Sequence, residues 1–124
     1  MNNINITVWD RQLDLSIVFD CYKNEAVLPI QEEALNKLLA SDAIDNSKSS
    51  VEKYCLSNNG QEIGEDKISN IFKYVMPYSL YIRRTTSADR IVGLVCKYRF
   101  NPEDGLVILF KNEELIDIGT TDIL

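Results

Sequence analysis

The sequence predicts an α+β domain built on a single antiparallel sheet of about six strands, with about three helices packed on one face of that sheet. Three observations carry this. Apolar residues near the N-terminus alternate with polar ones at the period of a strand, and those of the middle third recur at helical spacing. The last third is a series of aliphatic and aromatic runs punctuated by turn formers. Strands and helices thus occur in separate runs, not in the strict alternation of a parallel α/β fold. At 124 residues the chain fits one domain, residues 1–124, and a domain of that size buries about two-thirds of its unfolded surface without staples or metals.

In chain order, Ile4, Ile6 and Val8 alternate with Asn5, Thr7 and Trp9. Asp10, Arg11 and Gln12 turn the chain. Leu13, Leu15, Ile17, Phe19 and Cys21 then repeat the alternation, completing an N-terminal β-hairpin. Pro29 falls in the first turn of a helix, where its missing N–H costs little; Ile30, Ala34, Leu35, Leu38 and Leu39 place that helix over 30–39. Residues 41–50 are small and polar, a flexible connection too short to separate domains. Ser49 or Ser50 caps a second helix carrying Val51, Tyr54, Cys55 and Leu56, with a left-handed stop at Asn58, Asn59 and Gly60. A third helix is expected after Gly64 or Glu65. Glu65 and Asp66 suit its positive end, Ile68, Ile71, Phe72 and Val75 form its apolar face, and Pro77 ends it. A four-stranded meander closes the chain: 78–84, 91–100, 106–110 and 115–118. Its last two turns lie at 101–105, with Pro102 and Gly105 as turn formers, and at 111–114.

Composition sets further bounds. With 19 acids and 13 bases the formal net charge is -6, which disfavours broad phosphate binding and suits a basic partner. The absence of histidine removes the usual zinc ligand sets and the commonest general base. The three cysteines, Cys21, Cys55 and Cys96, have no metal-ligand spacing, and Cys21 and Cys96 sit in apolar patterns as small hydrophobes. A reducing, cytoplasmic setting is expected. The N-terminal residues have neither a charged start nor an apolar core of a signal peptide, and no apolar run approaches the length of a membrane span.

The candidate chemistry is sparse. The 101–105 turn places Glu103 beside Asp104, but the acid spacing of a calcium loop is missing, so it reads as a structural turn. Glu32 and Glu33, like Glu113 and Glu114, read as solvated charge, since neighbours on a strand face opposite ways. No nucleophile elbow or phosphate-cradling glycine loop is present. Arg83, Arg84, Arg90, Lys97 and Arg99, interleaved with Tyr78, Tyr81 and Tyr98, could stack single-stranded bases. The negative net charge and the lack of a nucleic-acid motif make a partly solvated sheet face the preferred reading, with no nucleic-acid, membrane, metal or cofactor partner. Trp9 reads as hairpin core.

The late pattern SLYI, IVGLVCKYRF, NPEDG, LVILF and LIDIGTTDIL, together with LPIQEEALNKLLAS earlier, resembles a bacterial family catalogued as a domain of unknown function, number six-nine-eight-five. In that family the acidic turn often carries a histidine where this chain has Asp104. The difference favours a structural turn with Gly105 and Gly119 kept as backbone positions. Members resemble stand-alone proteins, some encoded near polymorphic toxins. The resemblance therefore implies an immunity-like or other protein-binding role; with no catalytic constellation and an acidic balance suited to a basic nuclease, the expectation is a non-enzymatic protein-binding domain, an immunity protein that neutralises a cognate toxin by direct binding. The acids expected to meet it are Asp42, Asp45, Glu103, Asp104, Glu113 and Glu114. The alternative is a small-ligand-binding protein or enzyme with a pocket between sheet and helices.

Overall fold

The computed structural model describes residues 2–124. Its centre is one six-stranded sheet with the strands in chain order: β1 (Asn3–Val8), β2 (Arg11–Phe19), β3 (Val75–Ile82), β4 (Ile91–Tyr98), β5 (Leu106–Lys111) and β6 (Glu114–Gly119). Between β2 and β3 run helix α1 (Pro29–Ala40), a single helical turn α2 (Ala43–Asn46) and helix α3 (Lys48–Ile63). Short 3-10 turns occupy Ile71–Lys73 and Thr121–Ile123. The α+β class and the segregation of strands from helices hold.

Two expectations are corrected. The sheet is mixed, because β2 and β3 pair in parallel from Ser16↔Ser79 to Phe19↔Ile82, while every other pair is antiparallel. Alternation reports which face a side chain takes and carries no strand direction. Direction here follows from the long helical crossover, which leaves the sheet at one end and returns the chain to the other. The third helix is also absent. Ile68 lies in a loop, Ile71 and Phe72 in the 3-10 turn, and Val75 opens β3. Ile68, Ile71 and Val75 are buried, so their spacing reflects burial along an irregular path rather than one helical face. Pro77, expected as a helix terminator, sits in β3 beside a break in register between Pro77 and Ser79, where a bulge accommodates its missing donor.

Smaller departures have local causes. Residues 41–50 are not a flexible link: α2 and the start of α3 occupy them, anchored by buried Ile44 and Ser47. The expected stop at Asn59 is a kink (φ -137°, ψ 30°), and the helix runs on to Gly64, whose φ of 69° makes the left-handed cap. Trp9 and Asp10, both at positive φ, form the first hairpin turn one residue earlier than expected, and Cys21 falls beyond β2.

The two sheet faces are closed differently. Leu80, Ile82, Leu94, Cys96, Ile108 and Phe110 lie under the helices and are buried. On the other face, the C-terminal residues fold across β4 and β5: Leu124 covers Gly93, and Arg83 Nη2 donates to the Ile123 carbonyl at 2.8 Å. A Cβ at Gly93 would stand 2.5 Å from Leu124 Cδ2, so the bare backbone there is what lets the tail lie flat. The β1–β2 half of that face, with Asn5, Asp14 and Val18, is exposed.

Buried polar groups are paired. Gln31, 1% exposed, donates from Nε2 to the carbonyls of Asp20 (2.8 Å) and Ile82 (3.3 Å) and accepts the Leu28 N–H at 2.9 Å. The Trp9 indole N–H donates to the Ile44 carbonyl (3.0 Å) and Ser47 Oγ (3.2 Å). Among the described residues no buried side-chain nitrogen or oxygen lacks a partner.

Gln31→Leu strands these groups and is expected to lower stability by about 2–4 kcal/mol, read as a reduced urea midpoint at unchanged slope. An equal midpoint would show that water replaces the amide. Gly105 sits at φ 63°, and a Cβ there would be 2.7 Å from the Cys96 carbonyl oxygen. Gly105→Ala is therefore expected to cost about 1–3 kcal/mol in the same measurement.

Candidate functional sites: two clefts at one end of the sheet

The strand directions bring the end of β1, the starts of β2 and β3, the end of β4 and the start of β5 to one end of the sheet. Two clefts of opposite charge open there. The first, about 310 Å³, lies between β1 and the α1–α2 junction and is lined by Ile6, Thr7, Leu38, Ser41, Asp42 and Asp45. Asp42 and Asp45, two of the six acids expected to meet a partner, are thus brought into one groove. Its position is fixed from the core side: the Trp9 N–H donates to Asp45 Oδ1 at 3.1 Å, and Ser41 Oγ accepts the Ala43 N–H as it bonds the Leu38 carbonyl. The groove adjoins β1, an edge strand whose outer row of backbone groups has no neighbour in the sheet.

The other four acids lie elsewhere. Glu103 and Asp104 are exposed on the β4–β5 turn, at the same end of the sheet but three strands away, about 15 Å at ordinary strand spacing. Asn101 holds that turn, its Oδ1 accepting the Asp104 N–H at 3.2 Å. Glu113 and Glu114 occupy the opposite end. Glu113 is already engaged by Arg90 through two bonds of 2.9 Å, whereas Glu114 is exposed. Asn112 and Glu113 are both left-handed without a glycine, a turn that this ion pair and the Asn112 bond to Arg90 N–H hold in place.

The second cleft, about 440 Å³, lies where β3 begins and β4 ends. Its walls carry Lys73, Lys97 and Arg99 together with Phe72, Tyr74, Tyr78 and Tyr98. Tyr74 and Tyr98 are anchored behind it: Tyr98 Oη donates to Asn59 Oδ1 at 2.6 Å, at the kink of α3, and Tyr74 Oη donates to Glu65 Oε2 at 2.7 Å. Burial pushes the Tyr98 phenol well above its ordinary range, with Cys55 adding to the effect. Glu65 moves the other way, because hydroxyls of Tyr74 and Ser69 donate to it and hold its pKa below the ordinary 4.5. Sequence reasoning noted Tyr78, Tyr98, Lys97 and Arg99 but missed Lys73 and Phe72. Both fall in the segment that the sequence reads as a third helix, and Pro77 just beyond it is the local signal for the strand bulge that shapes the cleft. A third groove, about 430 Å³, runs between α3 and the edge strand β6 and is more open. Among the described residues no three acids or cysteines converge as a metal-holding group, and no helix is long and apolar enough to cross a membrane.

An α+β sheet domain with two oppositely charged clefts at one end is the class of molecule defined so far. Over residues 1–124 the chain matches the family model described as a domain of unknown function (DUF6985), and it belongs to that family. No curated protein and no solved structure matches it.

The lowered Glu65 has a sign that can be checked. A carboxylate depressed in the folded state contributes stability that is complete above its unfolded value near 4.5 and is lost as pH falls through the folded one. Tyr74→Phe removes the main donor and is expected to raise the NMR titration midpoint of Glu65 toward 4.5. An unmoved midpoint would assign the depression to Ser69 instead.

Proposed function

We propose that the chain is a non-enzymatic protein-binding domain, an immunity-type protein that neutralises a bacterial toxin by direct binding in the cytoplasm. The observation that carries this reading is the acid-lined groove beside a free strand edge. A basic side chain of the partner fits between Asp42 and Asp45, while the backbone that carries it can pair with β1 in the manner of an added strand. Asp45 spends Oδ1 on the Trp9 N–H and keeps Oδ2 for a partner. Asp42 is exposed and has no side-chain bond to the helix it precedes. The excess of acids over bases, 19 against 13, favours encounter with a basic surface such as that of a nuclease. Glu103, Asp104 and Glu114 lie outside the groove and act in this reading through long-range attraction.

The test is titration with the product of the adjacent gene, with cell protection as the second readout. Binding at about micromolar or tighter is expected, weakening as salt rises. Asp42→Lys is expected to cut the association rate about tenfold while leaving the melting temperature nearly unchanged, because the side chain supports nothing in the core. Absence of both binding and protection would overturn the reading.

A further inference from the structure

The cation-lined cleft is not used by that reading. Lys73, Lys97 and Arg99 converge on it in a chain whose acids outnumber its bases, yet none of the three makes an ion pair among the described residues; the four pairs present use Lys37, Arg84, Arg90 and Lys111. Glu65 is close enough to attract Lys73 but makes no ion pair with it, its two oxygens accepting from Tyr74 and Ser69. Glu103 and Asp104 line an adjoining recess of about 70 Å³ that shares Tyr78, Lys97 and Pro102 with the cleft. The cleft thus offers a ligand three cations that no ion pair engages, Lys73 resting over the Tyr74 ring at 5.6 Å.

The remaining walls are flat and apolar. Tyr78 is the extra residue at the β3 bulge, a device that re-aims a side chain, and it remains 44% exposed. Met76, cross-strand partner of Lys97, and Phe72 line the same cleft. Rings beside cations favour a ligand with its own flat ring, held by stacking, and an acidic group held by charge-assisted hydrogen bonds. Size and net charge then choose among such ligands. A volume of about 440 Å³ falls within the range of small-molecule sites. The net charge of -6 repels the remainder of a polyanion beyond the few phosphates that three cations can neutralise.

We propose that this cleft binds a small organic anion carrying a flat ring, of the mononucleotide class, with Lys73, Lys97 and Arg99 holding the phosphate and Tyr78 the base. The site is independent of the toxin-binding groove, and either can fail without the other.

The test is NMR titration of the isotope-labelled full chain with adenosine monophosphate, with adenosine and inorganic phosphate as separate arms. Saturable shifts are expected at Lys73, Tyr78, Lys97 and Arg99, with the monophosphate binding at least about tenfold more tightly than either fragment. The exposed pair change Lys97→Gln and Arg99→Gln is expected to weaken it by about tenfold or more without altering the fold. Tyr78→Ala is expected to remove the advantage over phosphate alone. Glu103→Gln with Asp104→Asn is expected to strengthen binding. No saturable shift at these residues, equal affinity for phosphate alone, or tighter binding of a single-stranded thymidine oligomer than of the monomer would overturn the proposal.

Discussion

The parallel seam between β2 and β3 is held at its upper end by one buried side chain, Gln31, and much of the architecture depends on it. At that end the chain leaves β2, starts α1 and, later, leaves β3, so three segments bring backbone polar groups into a space that water does not reach. The Asp20 N–H pairs with the Ile82 carbonyl at 2.9 Å, extending the ladder by one step. The Gln31 amide then satisfies the Asp20 carbonyl, shares the Ile82 carbonyl and takes the Leu28 N–H as the cap of its own helix. An apolar residue could fill the volume but could answer none of these groups, and each unanswered one costs about 1–3 kcal/mol. No tight turn can connect parallel strands, so β2 and β3 are joined by the helical crossover, and Gln31 sits where that crossover begins.

At the other end the corresponding role belongs to aromatic packing. Trp9 sits in a strained left-handed turn position, φ 51°, yet is only 3% exposed. Its indole bonds to α2 and its ring lies 5.8 Å from that of Phe72, which in turn carries the Arg11 guanidinium at 5.1 Å. The burial of a large ring with its N–H satisfied offsets a turn that would otherwise call for glycine. One residue thereby positions α2, and with it Asp42 and Asp45, while the Phe72 it touches forms a wall of the cationic cleft. The two clefts share a structural support although their chemistry is opposite.

This explains what could be read from the sequence. The hairpin, α1 and the terminal meander were legible because each is specified locally, by period-two alternation, by Pro29 with Ala34 and Leu38, and by the turn chemistry of Pro102 and Gly105. The parallel seam was not, since it is set by a crossover more than fifty residues long and by a glutamine that looks like a surface helix residue. The segment around Ile68 to Val75 misled because buried positions on a draped chain can mimic a helical period. The candidate sites divide in the same way. Acids were identifiable by type, but only the fold could unite Asp42 with Asp45, separate Glu103 from Glu113 and hand Glu113 to Arg90.

The placement of the two clefts also bears on net charge as a guide to partners. A formal charge of -6 argues against an anion site when charge is averaged over the surface. The averaging fails here, because the acidic groove beside β1 and the cationic cleft beside β3 and β4 are at least two strand spacings apart, about 10 Å, with Arg11 of β2 between them. At physiological ionic strength the screening length is about 8 Å, so a small ligand in one cleft is governed by the charges lining it and only weakly by those of the other. A partner large enough to span both meets a dipole instead, negative at β1 and positive at β4. Such a surface favours one orientation of docking over its reverse and imposes like-charge contact on the wrong one, so this end of the sheet carries the capacity to discriminate between partners.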